Sequence, residues 1–78
     1  MNHLLMKATR ELLQITLRDM ANATHIQLST YKDIELGRLT ATRNQLERIQ
    51  QVFARHRARD QKRLAKWNTA VGEKGGRE

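Results

Sequence analysis

Residues 15–37, Ile-Thr-Leu-Arg-Asp-Met-Ala-Asn-Ala-Thr-His-Ile-Gln-Leu-Ser-Thr-Tyr-Lys-Asp-Ile-Glu-Leu-Gly, decide the fold of this chain. They read as two short helices joined by a tight turn, over about 16–23 and 27–36. Thr16 suits the N-cap of the first, because its hydroxyl can accept a hydrogen bond from an orphan N–H of the first turn. Asp19 follows three residues later, where a negative charge suits a helix N-terminus. Met20, Ala21 and Thr24 then share one face. Beyond the turn, Ile26, Thr30, Tyr31 and Ile34 recur at helical spacing, and Gly37 closes the second helix.

Working outward, a preceding helix is predicted over about 3–13, with Leu5, Met6, Thr9, Leu12 and Leu13 as its inner stripe. On the other side, a turn over 37–41 leads to a fourth helix. Thr42 is a good N-cap there, and Gln45 stands at capping-box spacing from it. Leu46, Ile49, Val52 and Phe53 give that helix its buried face. The segment 54–71 has no Gly or Pro until Gly72, so the helix can run on. Leu64, Trp67 and Val71 share one face of it, and 72–78 reads as a flexible tail. Proline is absent, helix formers dominate, and β-branched residues never alternate over a strand length. The expected class is all-α, with four to five helices.

Seventy-eight residues make one domain with a small core. The absence of cysteine excludes disulfides and thiolate metal sites and fits a reducing compartment. No apolar run approaches 18 residues, so no membrane span is expected. Met1 to Met6 is too short and too weakly basic for a signal peptide. The net charge of +7 is unevenly placed. Residues 1–53 hold seven Lys/Arg against five Asp/Glu, and 54–78 hold eight against three. Such an excess points to a polyanion, nucleic acid first and an anionic membrane surface second. The plainer reading of the basic tail is a solvated helix kept soluble by its charge.

The stretch from Met6 to Phe53 resembles the lambda-repressor-like, Cro and XRE group of helix-turn-helix regulators. The matching features are Ile15-Thr16 before the second helix, Ala21 at the helix–helix contact, Ile26 after the turn and Ser29-Thr30. Ile34-Glu35, Gly37-Arg38 and the Thr42, Leu46, Ile49, Phe53 pattern complete the set, with no insertion needed. Three positions depart from the family. His25 stands where glycine is usual, in a turn that needs positive φ. Leu17 replaces a glutamine that grips a phosphate, and Tyr31 replaces a core Ile or Val. The Tyr31 ring is expected to pack while its hydroxyl reaches the surface.

The resemblance implies a lambda-repressor-like DNA-binding domain over 1–53, a basic helical extension over 54–71 and the tail over 72–78. The outer face of helix three would present Gln27, Leu28, Ser29, Lys32 and Asp33 to base edges. Gln and Ser can read them, Leu28 suits a thymine methyl, and Asp33 can accept from a cytosine amino group. The alternative is an ordinary solvent face, with Asp33 orienting Lys32 or a nearby arginine. Arg18, Thr30, Arg38, Thr40 and Arg43 are the candidates for phosphate contact, helped by the N-terminus of helix four. Arg10 and Glu35 correspond to a structural ion pair joining helix one to helix three. Leu64, Trp67 and Val71 are candidates for a dimer seam, for self-packing, or for exposure.

His3, His25 and His56 lie far apart without partners at ligand spacing, so no metal, cofactor or enzymatic site is expected. The expectation is a small bacterial, phage or plasmid transcriptional regulator in the cytoplasm, associated with the nucleoid. It would be a repressor binding an inverted-repeat operator on double-stranded DNA as a homodimer. The alternative is an antitoxin or adaptor whose basic segment wraps a protein partner. RNA binding ranks third, because stacking aromatics are scarce.

Overall fold

The structure, a computed structural model, describes the backbone of residues 1–77 and the side chains of residues 1–62. It holds four helices, α1 (His3–Leu12), α2 (Leu17–Thr24), α3 (Leu28–Glu35) and α4 (Arg43–Arg77), and no strand among the described residues. The class is all-α. The helix starts follow the capping residues. Thr16 Oγ1 accepts from the Asp19 N–H at 3.0 Å. Thr42 and Gln45 form a reciprocal capping box, with Gln45 N–H to Thr42 Oγ1 at 3.1 Å and Thr42 N–H to Gln45 Oε1 at 2.9 Å. Asn2, which the sequence pattern did not single out, caps α1 by accepting from the Leu5 N–H at 2.8 Å.

The first three helices end the same way. Each closes with a residue in the left-handed region, Gln14 (φ 58°), His25 (φ 58°) or Gly37 (φ 78°). The next residue's N–H then reaches back to a carbonyl of the last turn: Ile15 to Arg10, Ile26 to Ala21 and Arg38 to Asp33. This is the Schellman arrangement, which satisfies orphan carbonyls and reverses the chain in two residues. Twice the residue after the turn is a buried isoleucine, Ile15 or Ile26, so the turn also delivers an apolar side chain to the core. At Gly37 a Cβ would meet the ring of His3 at 2.9 Å, so the closeness of α1 adds to the demand for glycine.

Between the helices lies one core: Met6, Ile15, Met20, Ile26, Tyr31, Ile34, Ile49, Val52 and Phe53. Ala21 is also buried, and Leu46 packs from the edge. α2 packs on α3 and α4, and α1 packs on α3. Thr24 is wholly buried and turns its hydroxyl back to the Met20 carbonyl at 2.6 Å. α4 is a single helix that takes in the 54–71 extension and continues to Arg77. Leu64, Trp67, Val71 and the tail over 72–78 carry side chains outside the described residues.

Two expectations are corrected. Leu5 and Leu12 do not belong to the inner stripe of α1; they are 56% and 84% exposed. Met6 is buried and Thr9 and Leu13 half-buried as the stripe requires, and the remaining inward position is taken by Arg10, whose charge is met by Glu35. The Tyr31 hydroxyl does not reach the surface: the whole side chain is buried and its Oη has no hydrogen-bond partner.

The turns yield a stability series. Gly37→Ala should cost more than about 1 kcal/mol, because the new Cβ combines positive-φ strain with the His3 ring. His25→Gly and Gln14→Gly should each stabilise by up to about 1 kcal/mol, relieving the same strain where nothing else is lost. Urea unfolding followed by circular dichroism separates these directions.

Candidate nucleic-acid interface

α3 buries Tyr31, Ile34 and Glu35 and turns the opposite side outward. Leu28, Ser29 and Lys32 are exposed on that side, and Asp33 is half-exposed. Gln27 immediately precedes the helix and makes no side-chain capping bond, so its amide is free to meet a ligand. These five residues therefore run along the outward side of α3, polar except for Leu28. The structure brings together all five candidates for base contact. Asp33 also has a cation in reach: its Oδ1 lies 3.9 Å from Nη1 of the exposed Arg38.

The phosphate candidates border this surface less uniformly. Arg38, Thr40 and Arg43 are exposed on the loop after α3 and at the start of α4. Arg43 pairs loosely with Glu47 at 3.8 Å, one turn on. Such exposed pairs contribute about 0–1 kcal/mol, so neither arginine is committed by its partner. Arg18 is exposed in the first turn of α2, whereas Thr30 is half-buried at the margin of the polar face. Farther along α4, Arg55, Arg57, Arg59 and Lys62 are all exposed. Arg59 also approaches the His56 Nδ1 at 2.9 Å.

Two residues hold this surface without forming part of it. His3, at the start of α1, packs against Gly37 and so backs the loop that carries Arg38 and Thr40. Arg48 reaches from α4 to the Thr24 carbonyl at 3.4 Å, closing the C-terminal end of α2. The second has no local signal, since Arg48 and Thr24 lie 24 positions apart. The first has none, since it joins segments more than thirty positions apart.

Beneath α3 lies the charged centre of the molecule. Arg10 Nε donates to Glu35 Oε2 at 2.6 Å, and Nη2 donates to Oε1 at 3.2 Å. The remaining Nη1 donates to the Ile15 carbonyl at 2.8 Å. Both residues are more than nine-tenths buried. The hydrogen bonds to Glu35 hold the Arg10 guanidinium above its ordinary pKa, against the opposing effect of burial. Burial first, and then the neighbouring Glu35 carboxylate, push the Tyr31 phenol far above its ordinary range. No family model, curated protein or solved structure matches this chain.

Two outcomes follow from this centre. Glu35→Ala should destabilise by about 3–5 kcal/mol by stranding a buried guanidinium, while the double variant Arg10→Met/Glu35→Leu should lose far less. Thermal and urea unfolding of the three chains measure the difference. Tyr31 is the only tyrosine, so phenolate absorbance reports it alone. Its folded pKa is raised, so its contribution is whole below about pH 10 and fades as the pH rises beyond the unfolded value. Phenolate should therefore appear only together with alkaline unfolding, and Tyr31→Phe should make stability less sensitive to alkali.

Proposed function

We propose that this chain is a sequence-specific DNA-binding regulator with a lambda-repressor-like helix-turn-helix domain. α3 enters the major groove of an inverted-repeat operator, the chain acts as a homodimer, and occupancy of the site represses transcription. It works in the cytoplasm, at the nucleoid. The observation that carries this reading is the exposed polar face of Gln27, Ser29 and Lys32 on a short helix whose opposite face is pinned by a buried ion pair. A rigid helix with short polar side chains at its N-terminal end suits base edges, which demand positions fixed to a fraction of an ångström. Arg18, Arg38 and Arg43 supply phosphate contacts around it, and the basic face of α4 adds sequence-independent attraction.

Selection from random duplex DNA, followed by titration of the preferred site over a range of salt, tests this. A palindromic consensus with half-sites about one helical turn apart is the expected result. Gln27→Ala or Ser29→Ala should reduce discrimination at one base position by about 1–3 kcal/mol. Arg43→Ala should weaken all sequences alike and reduce the salt slope by about 1. Binding without a consensus, or none at moderate salt, would reject the reading.

A further inference from the structure

The outward side of α1 carries an apolar line that the core does not use. Leu4, Ala8 and Leu12 succeed one another at four-residue steps, and Leu5 lies beside them. Leu4 is 68% exposed, Leu5 56% and Leu12 84%, and Ala8 is exposed too. Residues four apart on a helix form a continuous ridge. Three leucines on one ten-residue helix, opposite a complete core, make a patch rather than scattered exposure.

We infer that this face of α1 is the seam between two copies of the chain. The line is self-complementary when α1 meets a second α1 antiparallel, about a two-fold axis between Ala8 and Thr9. Leu5 then stands opposite Leu12 of the second copy, twice, and the small Ala8 near the axis lets the helices approach closely. Charge fits the same arrangement. Lys7 and Glu11 flank the leucine line on one side and form no ion pair within the chain among the described residues. Antiparallel pairing sets Lys7 of one copy nearly level with Glu11 of the other, and symmetry repeats the pair. A parallel arrangement would instead place the Lys7 and Glu11 side chains of the two copies on opposite edges of the seam, out of reach of one another.

A helix of ten residues is about 15 Å long, so the seam falls at the small end of protein interfaces. The dimer is accordingly weak and concentration-dependent. The inference deepens the homodimer part of the proposed function and makes no use of the DNA-binding part. A monomer that still selects a DNA half-site would refute the seam alone. A dimer without sequence preference would refute only the DNA reading.

Sedimentation velocity of the full chain, over a concentration series reaching the high micromolar range, tests the seam. The expected result is a monomer–dimer equilibrium that Leu12→Lys weakens at least tenfold. The melting temperature should hold, because Leu12 is the most exposed large apolar side chain of the helix. Lys7→Glu alone should weaken the dimer, and Lys7→Glu with Glu11→Lys should restore it. A monomer at every concentration overturns the inference. So does a dimer indifferent to Leu12→Lys, which would put the seam elsewhere, for instance at Leu64, Trp67 and Val71.

Discussion

One guanidinium joins the three segments that give this fold its shape. Arg10 projects from α1, grips Glu35 of α3 with two hydrogen bonds and spends its remaining contact on the carbonyl of Ile15, in the link to α2. Removing two charges from water costs several kcal/mol for each ion, and the pair recovers that only through good geometry. The energetic return is therefore modest, and the directional return is large. An apolar contact between α1 and α3 would tolerate sliding or rotation, whereas a forked ion pair with a third bond to the Ile15 carbonyl defines where each helix sits. The orientation of the outer face of α3 is inherited from that constraint.

The turns do comparable work locally. A chain of 78 residues has little core with which to force its helices into place, so the ends of the helices must be specified separately. Capping side chains start α1, α2 and α4, and three left-handed closures end α1, α2 and α3. Because two of these closures deliver Ile15 and Ile26 directly inward, local geometry and core packing reinforce each other.

Much of this is legible in the residues. Thr16, Thr42 with Gln45, and Gly37 announce themselves because capping and positive φ restrict residue choice severely. Met20, Ala21, Ile34, Ile49, Val52 and Phe53 follow from helical spacing. α1 is misleading because it has two candidate faces. Counting apolar residues draws Leu5 and Leu12 into the inner stripe beside Met6, which the core takes, while the buried place of Arg10 follows from its pairing with Glu35, 25 residues away, and not from local pattern. The left-handed Gln14 has no residue signal at all. The burial of the Tyr31 hydroxyl depends on packing around it, which no local pattern encodes. At the polar face of α3, the exposed side chains could be listed from spacing. Their neighbours, such as Arg38 for Asp33, could be settled only in three dimensions.

The burial of the Arg10–Glu35 pair also separates two responses to ionic strength. At physiological salt, screening acts over about 8 Å of solvent and barely reaches charges enclosed in protein. The exposed cations of Arg18, Arg38, Arg43 and the α4 face are fully subject to it. Electrolyte can therefore mute the field of these exposed charges without loosening the molecule. Surface field and scaffold thus answer to the same surroundings on different scales: added salt quenches the first and leaves the second as it was.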